Sequence, residues 1–231
     1  MLQAVFFDFD GVIADSEPLH LRAYQTVLRE DGIDLDKSDY YARYLGYDDV
    51  GLFQALADDR GLALTASQID KWVDAKSQLI EEMLTDGSVL FPGAAACVKA
   101  LAARVPLAVA SGALEPEIDL VLTRAGLRSH FIAIASASDG VRGKPEPDLY
   151  LLAMAKLRDR LGQACNPAAC IAIEDSHWGL EAARRAGLRC VAVTHTYPAT
   201  ELGTADLVVD TLGDVTVSRI EDLLRDNGAA R

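Results

Sequence analysis

No stretch of roughly 18 or more apolar residues, the length that a membrane-crossing helix needs, occurs anywhere in this chain. No basic segment precedes the first apolar run at Ala4, so the chain is expected to work in the cytoplasm without a membrane partner. Positive charge is also scarce. Lys and Arg number 22 against 35 Asp and Glu, a net charge of −13, and this lacks the basic footprint that nucleic acid or an anionic bilayer requires. Cysteines are few: Cys97, Cys165, Cys170 and Cys190 form no C-x-x-C motif and have no metal-like spacing to histidine, so the thiols read as reduced and structural. His130, His177 and His195 show no spacing that suggests a zinc site or a nucleophilic triad. A small-molecule partner remains. If that molecule is anionic, so acidic a protein needs a metal ion and one or two lysines at the site to hold it.

What is present is a chain of 231 residues, half of them apolar, enough for one large domain or a core plus a smaller unit. Its oligomeric state is expected to be a monomer or weak homodimer. Short runs rich in Val, Ile, Phe and Ala at 4–9, 105–110, 131–135, 170–173, 190–193 and 207–209 read as fully buried strands. Between them, 94–104, 115–125, 147–161 and 178–186 carry helical apolar periodicity, the last running into Gly187, where a left-handed cap is expected. Alternating strands and helices predict an α/β fold, a Rossmann-like doubly wound parallel sheet whose ligands sit beyond the carboxyl ends of the strands. One connection is far longer than a crossover requires. Residues 15–90 hold no buried strand, only amphipathic stretches at 18–31, 37–45, 48–60 and 67–84. They are read as an inserted α-helical cap domain, with 1–14 and 91–231 forming the core and hinges near 14–17 and 87–93.

Four strand-end segments carry chemistry. The first strand runs into Asp8-Phe9-Asp10-Gly11-Val12, and in an extended chain Asp8 and Asp10 would point to one side. Such a pair either shares a cation or divides into nucleophile and general acid/base, unless it merely caps a turn. The fourth strand runs into Glu174-Asp175-Ser176. Alone these two carboxylates could cap the next helix; gathered with Asp8 and Asp10 they would need a hard cation, and an all-oxygen set suits Mg²⁺. After the second strand, Ser111-Gly112 offers a hydroxyl and an open backbone to a phosphate, although serine there could equally cap the helix at 115. After the third, Lys144 stands in a stiff Gly143-Lys144-Pro145 frame, placed to offset charge.

Taken in chain order, the four segments resemble the motifs D-x-D-x-[TV], [ST], K and [ED]-D of the haloacid-dehalogenase-like superfamily. The position of the insertion resembles the helical-cap subgroup that includes β-phosphoglucomutase and phosphoglycolate phosphatase. The resemblance implies that Asp8 attacks phosphorus to form an aspartyl-phosphate, and that Asp10 acts as general acid and then base. It implies Mg²⁺ held by Asp8, Asp10 through its carbonyl, Asp175 and, directly or indirectly, Glu174, with Ser111, Gly112 and Lys144 on the phosphate. Asp10 argues against carbon–halogen cleavage, which needs no acid for an oxygen leaving group.

Within the cap, His20 and Lys76 resemble residues that orient Asp10 and bind a sugar phosphate. The segment Gly46-Tyr47-Asp48-Asp49 departs from the mutase pattern, which has an arginine here for the non-transferring phosphate. The expected activity is therefore Mg²⁺-dependent hydrolysis of a small phosphorylated metabolite, a sugar or polyol phosphate. A β-phosphoglucomutase-like mutase and a non-catalytic binding or regulatory protein are the alternatives.

Overall fold

Six short strands pair side by side in one parallel sheet: β1 (Ala4–Phe7), β2 (Leu107–Ala110), β3 (Phe131–Ala135), β4 (Cys170–Glu174), β5 (Arg189–Val193) and β6 (Leu207–Val209), in the order β3-β2-β1-β4-β5-β6. The chain winds outward from β1 to β3, returns to β4 beside β1 and winds outward again. The switch point between β1 and β4 is where this topology leaves a crevice at the carboxyl ends. The computed structural model describes residues 1–45, 47–83 and 89–225. It divides into two compact units, Met1–Asp15 with Gly87–Arg231, and Ser16–Asp86. No helix among the described residues is long and apolar enough to cross a membrane.

The second unit is helical: α1 (Glu17–Glu30), a single turn α2 (Lys37–Asp39) that continues as a π-helical turn Tyr40–Tyr44, α3 (Asp49–Arg60) and α4 (Ala66–Met83). Its own core gathers Tyr24, Leu28, Tyr40, Phe53, Leu56 and Trp72. Trp72 Nε1 donates to Asp31 Oδ2 at 2.7 Å, so the indole buries its rings without leaving its N–H unsatisfied. Gly46, Leu84 of the last predicted helix and residues 87–88 of the hinge predicted at 87–93 lie outside the described residues.

Around the sheet lie α5 (Ala94–Ala102), α6 (Glu115–Arg124), α7 (Asp148–Leu161), α8 (His177–Arg185) and α9 (Val217–Arg225). The strands are buried on both faces, and the two-residue alternation sorts side chains by size. Ala4, Phe6, Ala108, Ala110, Ala172 and Ala192 belong to one core cluster with Leu149, Tyr150, Ala153 and Leu157 of α7 and Leu180 and Ala183 of α8. Residues of the opposite parity are larger: Val5, Phe7, Val109, Ile171, Ile173 and Val191, all buried. The alanine face lets α7 and α8 come close to the backbone of the sheet, which brings Tyr150 within reach of the end of β4. Gly187 follows α8 at φ +85°, a left-handed position that favours glycine.

The first strand is shorter than predicted. β1 stops at Phe7, because the Phe9 carbonyl turns to accept the Ile13 and Ala14 N–H groups at 2.8 and 3.0 Å, with Gly11 at φ +75° inside the turn. Asp8 and Asp10 therefore stand on a turn, and the side-to-side alternation of an extended chain does not govern them. At β4 the reverse holds: Glu174, predicted to follow the strand, is its last residue. The terminal helix α9 was not expected from the sequence.

Candidate active site

The register of the sheet assembles the site. Phe7 pairs with Ile173, so the next residues, Asp8 and Glu174, leave adjacent strands side by side, and Asp8 N donates to the Ile173 carbonyl at 3.0 Å. Among the described residues, Asp8, Glu174 and Asp175 form a buried carboxylate group with one oxygen from each within 4.8 Å of the others. Lys144 reaches into it from the loop before α7, its Nζ 2.9 Å from Asp8 Oδ2 and 2.6 Å from Glu174 Oε1. Its side chain is 11% exposed, which rules out a free surface lysine.

One ammonium against three carboxylates leaves negative charge uncompensated. Burial pushes Glu174 up to about 8, with Lys144 opposing and Asp8 and Asp175 adding to the shift. Burial, then Asp8, pushes Asp175 up to about 7. Burial opposes the charge on Lys144, but Asp8 and Glu174 outweigh it and raise its pKa, so it stays protonated. These shifts mark a place short of positive charge. The donors are all oxygen, buried and convergent, and a hard divalent cation fits them. Asp10 is partly buried in the adjoining turn, where it bridges to Ala14. Its side chain is not among the atoms of the carboxylate group.

The capping roles that competed for these motifs belong to other residues. Ser176 is the N-cap of α8, accepting from Gly179 N at 3.1 Å, which frees Glu174 and Asp175 from that role. Leu114 is the N-cap residue of α6, and Glu115 N donates to Ser138 Oγ at 3.1 Å, so Ser111 does not cap that helix. Ser111 is buried at the end of β2, its N–H bonded to the Ala135 carbonyl and its Oγ accepting from Ala113 N at 3.3 Å. Gly112 beside it is exposed, with open space where a Cβ would stand.

Several supporting residues escaped the sequence reading. Tyr150 on α7 is fully buried and donates its hydroxyl to Glu174 Oε1 at 2.5 Å, while Lys144 Nζ lies 5.4 Å above its ring. Burial, then Glu174 and Asp8, raises its pKa and keeps it a donor. Gly179 leaves room for the Glu174 carboxylate: a Cβ there would lie 1.9 Å from Oε2. Thr196 and His195, in the turn after β5, bond to Asp175 Oδ2 and to the Gly11 carbonyl. Tyr150 reads as one more member of an apolar helix stripe, but Thr196 could have been found by inspecting the turn beyond every strand, β5 included.

In the second unit, Lys76 is 2% exposed and pairs with Asp49 Oδ1 at 2.9 Å, and Tyr24 donates to the same oxygen at 2.5 Å. Burial, then Lys76, lowers the pKa of the partly buried His20 to about 3, so its imidazole is neutral. Asp48 accepts from Gly51 N at 2.6 Å as the N-cap of α3. Both acidic residues of the 46–49 segment therefore have partners inside their own unit.

A sequence profile described as "haloacid dehalogenase-like hydrolase" matches residues 2–187. The chain belongs to this family. Among its relatives, Protein CbbY of Rhodobacter capsulatus is 29% identical over 230 residues, covering 96% of this chain and 99% of that protein. Fructose-1-phosphate phosphatase YqaB of Escherichia coli is 30% identical over 191 residues, covering 82% and 95%. The crystal structure of CbbY from Rhodobacter sphaeroides in complex with phosphate superposes with a TM-score of 0.84 at 26% identity, covering 96% of this chain and 100% of that one. The family's fold thus extends over both units of the chain.

Proposed function

We propose that this haloacid dehalogenase-like hydrolase is a Mg²⁺-dependent phosphatase that hydrolyses a small phosphorylated metabolite, a sugar or polyol monophosphate, through an aspartyl-phosphate on Asp8. The observation that carries the reading is the convergence of Asp8, Glu174 and Asp175 with Lys144 at the β1–β4 switch point. Relatives named for phosphatase activity on fructose 1-phosphate and on phosphorylated carbohydrates support the substrate class.

Asp8, ion-paired with Lys144, attacks phosphorus with a carboxylate oxygen. Asp10 passes a proton to the departing oxygen, then takes one from the water that attacks the aspartyl-phosphate and releases inorganic phosphate. Ser111 Oγ, the Gly112 N–H and Lys144 hold the oxygens of the transferring group, where charge builds in the transition state. Asp8, Asp175 and the Asp10 carbonyl would hold Mg²⁺, which supplies charge neutralisation between the nucleophile and the incoming phosphoryl group. Glu174, with Oε1 engaged by Lys144 and Tyr150, fixes the lysine.

Residues 15–90 act as a cap that supplies substrate contacts, His20 and Lys76 among them. Lys76 already has its charge balanced by Asp49, which leaves little attraction for a second phosphate and favours a monophosphatase over a bisphosphate-dependent mutase. With Mg²⁺, purified protein should release phosphate from p-nitrophenyl phosphate and from sugar phosphates, and Asp8→Asn should lower turnover by about 10³-fold or more. Unchanged turnover in Asp8→Asn would refute the nucleophile; a requirement for a bisphosphate activator would indicate the mutase.

A further inference from the structure

The turn after β5 reaches across to two neighbouring strand ends. Thr196 Oγ1 donates to Asp175 Oδ2. His195 Nδ1 lies 2.9 Å from the Gly11 carbonyl, a bond that puts a proton on Nδ1, and its ring stacks on Phe91 with centroids 3.9 Å apart and planes at 17°. Gly11 presses on the same carboxylate: a Cβ there would lie 1.9 Å from Asp175 Oδ2 and 3.0 Å from Thr196 Oγ1. Since β1, β4 and β5 are neighbours in the sheet, the turns at their carboxyl ends interlock around one aspartate.

We propose that Thr196 is a positioning residue of the cation site: its hydroxyl fixes the rotation of the Asp175 carboxylate, while His195 holds the Gly11 turn against it. This rests on the reading of Asp175 as a cation ligand. A carboxylate that must find its orientation on binding loses affinity, and the groups that bond to metal ligands from behind are worth as much as an order of magnitude or more. Thr196 is solvent-exposed, so replacing it by the isosteric valine removes a hydrogen bond without opening the core.

The test is calorimetric titration of the whole chain with Mg²⁺, alongside melting curves in chelator, for wild type, Thr196→Val and Thr196→Ser. Valine should raise the Mg²⁺ Kd about tenfold while serine stays within about twofold of wild type, with all three melting alike in chelator. At saturating Mg²⁺ the kcat of the valine variant should approach that of wild type. Unchanged affinity in Thr196→Val, beside a wild type that binds Mg²⁺ and hydrolyses phosphate esters, overturns the role of Thr196 and leaves the proposed function standing. Equal weakening in the valine and serine variants, or weakening matched by a lower melting temperature in chelator, also overturns it. A wild type that neither binds Mg²⁺ nor releases phosphate overturns both.

Discussion

A single glutamate oxygen, Oε1 of Glu174, receives the Lys144 ammonium and the Tyr150 hydroxyl at 2.6 and 2.5 Å. Because that oxygen is fully buried, each donor matters more than it would in water. Tyr150→Phe removes one oxygen atom and keeps the ring beneath Lys144. It should lower kcat by about tenfold with KM little changed, and steady-state kinetics at saturating Mg²⁺ will read the split; an unaltered kcat would assign the hydroxyl no part in turnover. The sequence announced Asp8, Glu174 and Asp175 as carboxylates gathered at the ends of apolar runs, and Lys144 by its stiff Gly143-Lys144-Pro145 frame. It did not announce Tyr150. A phenol in the buried stripe of an amphipathic helix looks like any other aromatic until the strand end opposite it is known.

At the level of elements, α8 can approach β4 only because residue 179 is glycine. Gly179→Ala would drive a methyl group into the Glu174 carboxylate, forcing the helix outward or the glutamate out of its bond with Lys144. We expect a loss of about 1–3 kcal/mol in urea unfolding together with a fall in activity; an unaffected variant would show that the carboxylate has another place to go. The loop between β3 and α7 carries a pH-dependent strut, in which Asp139 takes Lys156 Nζ at 2.6 Å and Ser136 N at 2.9 Å. Burial raises the Asp139 pKa, but Lys156 and Ser136 outweigh it and lower it. A depressed folded value gives stability that is complete above the unfolded pKa of about 4 and fades as pH falls through the folded one. Asp139→Asn should therefore be less stable than wild type at pH 7, with the gap narrowing as pH falls below the unfolded pKa of about 4, as measured by chemical denaturation. A gap of constant size would assign the effect to packing. Strand and helix identities were legible from periodicity, whereas the early end of β1 was not: Phe9 is apolar and buried like Phe6 and Phe7, and only the hydrogen bonds to its carbonyl reveal the turn.

Across the molecule, cation binding and folding are linked. If Mg²⁺ binds the assembled carboxylates alone, a concentration of tenfold its Kd should add about 1.4 kcal/mol of stability. For a chain of this size that is a rise in melting temperature of roughly 3–6 °C, reversed by chelator; no rise would count against the site. The alternating pattern and the oversized insertion made the α/β class readable in advance, because burial on both faces of a parallel sheet leaves continuous apolar runs. The sorting of those runs by size was less visible, although Ala4, Ala108, Ala172 and Ala192 alternate with larger neighbours in plain view. That face works as a spacer of fixed thickness beneath the chemistry. Adding two methyl groups at Ala172, two residues before Glu174, would push the helices packed on that face away from the sheet and strain the bond between Tyr150 and its glutamate, so a change in the foundation would register as slowed turnover under conditions where the protein still folds.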